Sequence, residues 1–427
     1  MSFIGQEIHN FATEIFPFNR SLTGEGVRDT LLKIQTQITD LKIDHYPSGK
    51  EVFDWVVPKE WKVSEAFIIS PEGKKICNFS DNNLHLVGYS VPYRGKLSLN
   101  DLQPFLYSIP DQPDAIPYIT SYYEPRWGFC LTHNQRVELS DGVYEIVVDT
   151  SLFDGVMNFG ELLIPGKSEK EIFLSTYICH PSMANNEISG PSVTTFLSKW
   201  IKSKKNREYS YRIIFIPETI GSISYIAHNL KTLKEKVFAG FNITCIGDDR
   251  CYSFLPSRDG NTISDVVAKH ILKHTDKEFL QYSWLDRGSD ERQYCSPGVD
   301  LPISSIMRSK YGEYPEYHTS LDNLISVVTP EGLNGGYWAI RNSIEALENN
   351  SIYKVKMFCE PQLGKRGLYP TLSNKRDYKT TRTLTNFISY CNSKNTLIDI
   401  AEIIGVPVWE LYDISKNLEV NGIIEKC

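Results

Sequence analysis

The pattern that most constrains the architecture is STYICHPSMANNEISG at residues 175–190. It begins as a strand of β-branched and aromatic residues, passes through a polar loop that contains His180, and ends where a helix starts. In open α/β sheets, binding sites form beyond the carboxyl ends of the strands. A neutral imidazole held at such an end is a good zinc ligand, whereas the alternative is a histidine that only caps a turn. The neighbouring Asn186 and Glu187 favour the ligand.

Apolar strands alternate with amphipathic helices along the middle of the chain. The strands are EIFLSTYI (171–178), YRIIFIP (211–217), FAGFNITCI (238–246) and LPISSIM (301–307). Strands that are apolar throughout, separated by amphipathic helices, are typical of a sheet covered by helices on both faces. The sequence therefore predicts an α/β domain.

Two other regions have a different character. Residues 51–149 consist of short β-rich segments separated by Pro, Gly, Asn and Asp, which predicts a mostly β domain. We interpret it as an insertion into an α/β domain formed by residues 1–50 and 150–350. In residues 355–427 two apolar helical stripes, a break and a short strand predict a winged helix. The Pro-, Gly- and Lys-rich residues 346–380 predict a linker.

Three further strand ends carry polar side chains. Glu218 can act as a general base or ligand beside a metal, or can simply begin a helix. Asp248 and Asp249 can bind a metal or form a salt-bridged turn. His318 follows the last strand in a loop rich in Tyr and Glu. Catalytic zinc takes about three nitrogen or oxygen ligands and leaves a position open for water, so these loops together predict a hydrolytic zinc site.

Other chemistries find little support in the sequence. No GxGxxG follows a strand, and neither GxxxxGK[ST] nor GxSxG occurs. Cys179 next to His180 suggests a thiol nucleophile, but adjacent residues of a strand point to opposite faces. This alternation favours a buried structural thiol at position 179.

Composition limits the partners and the compartment. The 427 residues include 45 basic and 52 acidic side chains, and the net charge of −7 argues against a protein that grips phosphate backbones. Residues 391–427 contain three lysines against six acidic residues, so we expect the winged helix to serve protein contact or homo-oligomer formation rather than nucleic-acid binding. The nine scattered cysteines form no CxxC pair, and no secretory signal or membrane-length apolar run is present. We therefore expect a cytoplasmic protein with reduced thiols and no membrane partner.

The order of these loops resembles that of the co-catalytic zinc aminopeptidases. The chain is similar over its whole length to bacterial aminopeptidase-like proteins that have a β-rich insertion and a C-terminal winged helix, some of them linked to polysaccharide biosynthesis. The segments that carry the resemblance are FPFNRSLTGEGVRDTL (16–31), ICHPSMANNEISGPSV (178–193), IPETIGS (216–222) and SKYGEYPEYHTSLDN (309–323). The resemblance implies a zinc-aminopeptidase-like mixed sheet flanked by helices.

The resemblance also implies roles for individual residues. His180 and His318 match the first and last zinc ligands of the family, and Glu218 matches its catalytic base. Asn186, Thr219 and Thr244 fall where the family carries carboxylate ligands, so negative charge that helps to hold two dications is missing. We therefore expect one zinc ion rather than two.

Several arrangements of one ion remain open. The preferred hypothesis has zinc held by His180, Glu187 and His318, with Glu218 activating a water molecule. Alternatively Glu218 is itself a ligand, Asp248 moves in as a ligand, or the site binds without cutting. The candidate substrate-binding residues are Asn186, Arg287, Asp290, Arg308 and Tyr317, and Glu313 or Glu316 is a candidate receptor for a free α-amino group.

The function that follows is that of a zinc-dependent, aminopeptidase-like hydrolase that cleaves an amide bond in a peptide or another small amide. Two alternatives stay open. One is a non-catalytic binding protein that has kept the fold, and the other is a hydrolase of N-acyl sugars or other amides linked to polysaccharide biosynthesis.

Overall fold

A computed structural model describes residues 4–122, 124–368 and 375–427. The helices are α1 (Ile4–Ile15), α2 (Glu25–Gln37), α3 (Leu99–Leu102), α4 (His133–Val137), α5 (Ser189–Ser203), α6 (Ile220–Lys236), α7 (Ile263–Thr275), α8 (Glu291–Tyr294), α9 (Pro330–Asn349), α10 (Lys375–Tyr390), α11 (Leu397–Ile404) and α12 (Glu410–Val420). Among the described residues, none of the helices combines the length and the apolarity needed to cross a membrane.

The strands are between two and eleven residues long. They are β1 (Lys42–Pro47), β2 (Glu51–Val52), β3 (Trp55–Val56), β4 (Glu60–Ile69), β5 (Lys75–Ile76), β6 (Tyr93–Ser98), β7 (Leu106–Tyr107), β8 (Phe129–Cys130), β9 (Val143–Phe153), β10 (Val156–Ile164), β11 (Glu171–Tyr177), β12 (Ser210–Ile216), β13 (Val237–Asn242), β14 (Ser253–Leu255), β15 (Leu280–Gln281), β16 (Ile303–Met307), β17 (Ile352–Val355), β18 (Asn392–Thr396) and β19 (Ile424–Lys426).

The largest sheet is mixed and has the order β1-β10-β12-β11-β13-β16-β14-β15. Its centre consists of the four predicted apolar strands β11, β12, β13 and β16, which pair in parallel. Strand β10 pairs antiparallel with β12, and β14 pairs antiparallel with β16. The parallel strands are buried along almost their whole length, which explains why they are apolar throughout rather than alternating. The prediction of a mixed α/β sheet flanked by helices is confirmed.

Helix α5 begins directly above the strand ends because Gly190 has no side chain. A Cβ atom at this position would lie 2.5 Å from the carbonyl oxygen of Ile243 and 2.5 Å from Oγ1 of Thr176. The close approach brings the polar loop before α5 over the carboxyl edge of the sheet.

The predicted β-rich segment forms its own sheet, of order β5-β4-β9-β6, between β1 and β10 in the chain. Two smaller pairs, β2 with β3 and β7 with β8, belong to the same segment. A stack of aromatic rings supports it, with Trp127 lying 4.2 Å from Tyr93 and 4.2 Å from Phe105 between ring centroids. The bounds assigned to this domain from the sequence stay a prediction.

Residues 265–279 and 339–427 form a second compact unit. Helices α11 and α12 are joined by a turn in which Gly405 has a φ of 70°, and β19 follows, as expected for a winged helix. The predicted linker is wrong at Ile352–Val355, because β17 pairs with both β18 and β19. Its polar surroundings concealed a strand of only four residues. Residues 369–374 of the predicted linker lie outside the described part of the chain.

Candidate functional site

His180 and His318 approach each other at the carboxyl edge of the parallel strands. Their ring centroids are 5.6 Å apart, although the two residues are 138 positions apart in the chain. Burial lowers the pKa of each imidazole to about 3, so both rings are neutral at physiological pH. The neutral form is the one in which an imidazole binds a metal ion.

The two edges of the His180 ring face different carboxylates. Nδ1 lies 2.9 Å from Oε2 of Glu187, and Nε2 lies 3.7 Å from Oε2 of Glu218. An imidazole that donates its Nδ1 proton to Glu187 keeps the lone pair on Nε2, which then faces Glu218. Glu187 therefore orients the ring, and Glu218 lies next to its Nε2 atom.

Glu187 is completely buried and is accompanied by a cation, Arg20, that is also completely buried. Arg20 Nε lies 3.6 Å from Oε1 of Glu187 and donates to the carbonyl oxygen of His180 at 3.1 Å. Burial raises the pKa of Glu187, and the Arg20 charge opposes that shift. The arginine thus contacts both the backbone of His180 and the carboxylate that orients the ring.

Arg20 reaches the site from the loop between α1 and α2. Its Nη1 donates to the carbonyl oxygen of Ile15 at 2.6 Å, which ties the side chain to the end of α1. Helix α2 packs so closely on the loop that a Cβ at Gly26 would lie 2.0 Å from the carbonyl oxygen of Asn19. Sequence reasoning missed Arg20, and the only signal was its place in the segment FPFNRSLTGEGVRDTL.

Glu218 follows β12 and is mostly buried, with 19% of its side chain exposed. Burial and then the charge of Asp290 raise the pKa of Glu218 to about 8. The next residue, Thr219, has a φ of 63°, which is unusual for a β-branched side chain. Such a conformation costs about 1–3 kcal/mol and persists only where surrounding contacts impose it.

Asp290 supplies part of that constraint. Its Oδ1 accepts hydrogen bonds from the backbone N–H of Thr219 and from Oγ of Ser222, both at 2.8 Å. Arg292 donates to Oγ1 of Thr219 at 2.6 Å. Asp290, predicted to bind substrate, therefore holds the turn that carries Glu218, and a substrate role for it stays a prediction.

Neutral side chains occupy the positions where the resembling family would hold its second ion. The Tyr177 hydroxyl contacts Oγ1 of Thr244 at 2.6 Å and accepts a hydrogen bond from Nδ2 of Asn186 at 2.7 Å. Oδ1 of Asn186 is buried and has no hydrogen-bond partner. This network of hydroxyl and amide groups offers no carboxylate to a second dication.

The polar loop between β11 and α5 forms a short π-helical turn, Ala184–Ile188. The Asp322 carboxylate accepts hydrogen bonds from the backbone N–H groups of Asn185 at 2.7 Å and of Asn186 at 2.9 Å. Tyr314 donates to the same carboxylate at 2.9 Å. The segment after His318 thus fixes the loop that carries Glu187.

Aromatic rings surround the two histidines. Tyr317 stacks on His318 with ring centroids 3.8 Å apart. Tyr118, from the inserted domain, lies edge-on to both imidazoles, 5.3 Å from His180 and 5.2 Å from His318. Its backbone N–H donates to the carbonyl oxygen of His318 at 2.9 Å. Tyr118 had no local signal in the sequence, because this contact spans 200 residues.

Arg287 and Arg308, which were predicted to bind substrate, make contacts with the protein. Arg308 donates to the carbonyl oxygen of Asp248 at 2.7 Å and lies 3.8 Å from the ring centre of Tyr252. Arg287 is exposed and lies 5.1 Å from the ring centre of Trp284. Their roles in substrate binding stay predictions.

Asp248, the alternative ligand, is already engaged. Its carboxylate accepts hydrogen bonds from the backbone N–H of Ser309 at 2.7 Å, from the Ser309 hydroxyl at 2.8 Å and from Nδ2 of Asn185 at 3.0 Å. A carboxylate with these partners stabilises the loops and has little capacity left for a metal.

A cavity of about 440 Å³ opens beside Cys179, His180 and Glu218. This volume lies within the range of pockets for small molecules, about 300–1,000 Å³. Much of its wall comes from the inserted domain, and its apolar side chains are Leu22, Trp55, Val56, Val57, Pro58 and Ile220. Sequence reasoning missed this wall, because residues 55–58 read only as part of a β-rich segment.

The fold and this group of residues define an aminopeptidase-like protein. The chain belongs to the family described as a domain of unknown function, DUF4910, whose pattern matches residues 9–350. A winged helix-turn-helix family matches residues 351–426. The predicted resemblance is confirmed.

A protein and a crystal structure from Clostridium acetobutylicum are similar to this chain over nearly its whole length. A protein provisionally assigned to polysaccharide biosynthesis, with an aminopeptidase-like domain, is 43% identical over 399 residues, which is 93% of this chain and 91% of the relative. A crystal structure provisionally named as a peptidase is 40% identical and has a TM-score of 0.93, with 99% of this chain and 97% of that chain covered.

More distant structures share the fold alone. A zinc aminopeptidase from Bacillus subtilis has a TM-score of 0.58 at 12% identity and covers 81% of this chain and 95% of its own. A peptidase M28 precursor from Shewanella amazonensis has a TM-score of 0.58 at 12% identity, and the match covers 84% of this chain and 95% of that one.

Donor atoms that suit zinc meet around His180. Nε2 of His180 lies 3.7 Å from Oε2 of Glu218, so an ion bound at Nε2 would have Glu218 next to it, as a ligand or as a base. Cys179, His180 and Glu187 also bring donor atoms within 4.8 Å of one another. The buried Arg20 guanidinium beside Glu187 would repel a dication there, so the side of Glu218 is the better position.

Proposed function

We propose that this chain is a zinc-dependent hydrolase of amide bonds that works with a single ion. The observation that carries the proposal is the proximity of two neutral imidazoles, with the ring centroids of His180 and His318 5.6 Å apart, and of Glu218, which lies 3.7 Å from Nε2 of His180 and lines the same cavity as His180. When bound, zinc would polarise a carbonyl group and lower the pKa of a bound water molecule toward neutrality.

The chain's own residues have distinct roles in this proposal. His180, through Nε2, and His318 would supply two ligands, and water and the substrate would fill the other positions. Glu187 would orient His180 rather than bind the ion, in place of the ligand role predicted for it from the sequence. Glu218 takes a proton from the attacking water and passes it to the leaving nitrogen. Its raised pKa suits a group that must both accept and release a proton near neutral pH.

Metal content and activity test these roles separately. We expect about one zinc per chain by elemental analysis, and loss of that zinc in His180→Ala and His318→Ala. The exposed His45→Ala is the matched control and should keep the metal. Substoichiometric zinc in the gently purified protein would favour the alternative of a non-catalytic binding protein.

The base is tested by Glu218→Gln, with the exposed Glu235→Gln as control. On a panel of aminoacyl and N-acyl anilides and N-acyl sugars, Glu218→Gln should keep the zinc and lose about 10²–10⁴-fold in kcat. A Glu218→Gln variant as fast as the wild type would reject Glu218 as the base.

The relative provisionally assigned to polysaccharide biosynthesis favours a second candidate, the hydrolysis of an N-acyl group on a sugar. The sugar substrates in the same panel distinguish this reaction from peptide cleavage. The homo-oligomer and the cytoplasmic location remain proposals, and size-exclusion chromatography with light scattering tests the first of them.

A further inference from the structure

We infer that the cavity beside His180 accepts an uncharged, apolar acyl group and excludes the free α-ammonium group that an aminopeptidase must bind. The inference rests on the proposed function and names the class of substrate for the same site. It depends on three properties of the cavity: the chemistry of its wall, the partners of nearby carboxylates, and the neutral positions next to the histidines.

Apolar side chains form much of the wall. Trp55, Val56, Val57 and Pro58 come from the inserted domain, and Ile220 comes from the first turn of α6 directly after Glu218 and Thr219. Apolar surface favours binding by about 25 cal/mol for each Å² that is removed from water. Binding of a hydrocarbon group in this space, beside His180 and Glu218, is therefore favourable.

An ammonium group in the same space would lack a carboxylate. Two carboxylates line the cavity, and one of them, Glu218, serves as the base in the proposed reaction. The other, Asp154, has 86% of its side chain exposed and lies 3.8 Å from Lys59 Nζ, which also lines the cavity. Its charge is therefore screened by water and by the lysine.

The two glutamates considered as receptors for an α-amino group are engaged elsewhere. Glu316 accepts two hydrogen bonds from Arg250, at 2.8 Å and 2.9 Å. Glu313 lies 3.7 Å from Lys310 Nζ. Neither is among the residues that line the cavity.

Three positions near the histidines add no negative charge, and the charge of the fourth, Glu187, is paired with Arg20. Asn186 and Thr244 belong to the neutral network around Tyr177, and Thr219 is held by Asp290 and Arg292. A charged group that leaves water without gaining a partner of opposite charge binds unfavourably. An amine and its uncharged isostere should therefore differ strongly in affinity and in rate.

A matched pair of substrates isolates this one group. Phenylalanine p-nitroanilide and 3-phenylpropanoyl p-nitroanilide differ only in the α-ammonium. With the zinc-loaded full chain, we expect the 3-phenylpropanoyl compound to have a kcat/KM at least about tenfold higher. An equal or higher kcat/KM for phenylalanine p-nitroanilide would overturn the inference.

A binding measurement separates this inference from the proposed function, because it needs no turnover. Calorimetry with 3-phenylpropanamide and phenylalaninamide should show tighter binding of the uncharged amide. If that preference appears while neither anilide is cleaved, the hydrolase proposal fails and the binding preference stands. If phenylalaninamide binds equally well, or neither amide binds, the preference for an uncharged group is rejected.

A substitution in the wall tests the location. Val56 lines the cavity and is 55% exposed, so Val56→Asp should fold and should place a carboxylate in the wall. We expect it to shift the ratio of the two affinities toward phenylalaninamide by about tenfold. Val143→Asp is the matched control, since Val143 is also a strand residue, is 58% exposed, and does not line the cavity. If the ratio of the affinities for the two amides is the same in both variants and in the wild type, the amides bind outside this cavity and the inference is overturned.

Discussion

His180 and Glu187 are joined by a hydrogen bond of 2.9 Å between Nδ1 and a carboxylate oxygen. With Glu187 ionised beside Arg20, the carboxylate can only accept, so the proton of the neutral imidazole lies on Nδ1 and Nε2 is left as the donor atom for a metal. The partner of Glu187 is Arg20, which also contacts the backbone of His180. The orientation of one ring thus depends on a buried ion pair between the N-terminal loop and the loop after β11.

The first prediction concerns the charge of Glu187. Glu187→Gln keeps the size of the side chain but removes the carboxylate that orients His180. We expect zinc affinity to fall about 10–100-fold, the usual effect of losing such an outer partner of a metal ligand. Competition with a chromophoric zinc chelator measures this change.

The same variant leaves Arg20 buried without its anion. We therefore also expect the free energy of unfolding of the metal-free protein to fall by about 3–5 kcal/mol. Glu345→Gln, which removes a partly exposed partner of Arg341, is the control and should change stability by less than about 1 kcal/mol. Unchanged zinc affinity in Glu187→Gln would show that Glu187 does not orient the ligand.

The second prediction concerns the number of ions. The wild type should bind one zinc even in excess metal, because Asn186, Thr219 and Thr244 provide no carboxylates. Asn186→Asp alone should still bind one, and its new carboxylate should destabilise the metal-free protein by about 1–3 kcal/mol since it is buried beside Tyr177. Adding Thr219→Glu and Thr244→Asp should allow a second ion. Elemental analysis after gel filtration counts the ions, and two in the wild type would contradict the prediction.

How far the sequence predicts this molecule depends on the range of the contacts involved. The parallel strands were predictable because they are buried along their whole length, and the rule that sites form at strand ends led to His180, Glu218 and His318. Each of these signals lies within a few residues of the side chain concerned.

The missed residues act through contacts between distant segments. Arg20 meets Glu187 after 167 residues, and Tyr118 meets His318 after 200, so neither has a local pattern. Arg308 was predicted to bind substrate, and that role stays a prediction. The sequence did not indicate the hydrogen bond that Arg308 donates to the carbonyl oxygen of Asp248. Strand β17 was missed because four residues in polar surroundings carry too little periodicity.

The third prediction concerns the packing that delivers Arg20. Gly26→Ala would place a Cβ atom 2.0 Å from the backbone oxygen of Asn19, and neither backbone can move freely. Although alanine favours a helix by about 0.5–1 kcal/mol, we expect a net loss of about 1–3 kcal/mol in the free energy of unfolding. Denaturant unfolding measures the loss.

In the control Gly88→Ala, the nearest atom to the new Cβ is Cγ2 of the Thr120 side chain, at 3.3 Å, and a side chain can adjust more easily than the backbone. Gly26→Ala should also weaken zinc binding, whereas Gly88→Ala should not. Wild-type stability in Gly26→Ala would show that the loop before α2 is free to shift.

The fourth prediction concerns pH and the winged-helix unit. The buried His270 accepts a hydrogen bond at Nε2 from the backbone N–H of Val408 at 2.9 Å, and its Nδ1 faces Glu402. The nearby charged or titratable groups are Lys273, which donates to Glu402 at 2.7 Å, and His274, whose ring lies 4.7 Å from His270. Nε2 of His270 accepts the hydrogen bond from the Val408 N–H, so the proton of the neutral ring lies on Nδ1, and no free lone pair is left for a metal.

Burial lowers the pKa of His270 below the value of about 6.5 expected in the unfolded chain. Above that pH His270 is neutral in both the folded and the unfolded chain, and its hydrogen bond with Val408 contributes fully to stability. As the pH falls below it, the unfolded state binds a proton first, and protonation of Nε2 removes the acceptor for Val408, so stability falls. Glu402, whose pKa is lowered, stays ionised in this range.

Hydrogen exchange at the Val408 amide, corrected for the intrinsic rate at each pH, reports on this contact. Protection should decrease between about pH 7 and pH 5 in the wild type. His270→Gln retains a neutral acceptor but does not titrate, so its protection should be lower and nearly independent of pH. The exposed His45→Gln should behave like the wild type. Equal pH dependence in His270→Gln and the wild type would mean that another group controls the docking of the turn before α12.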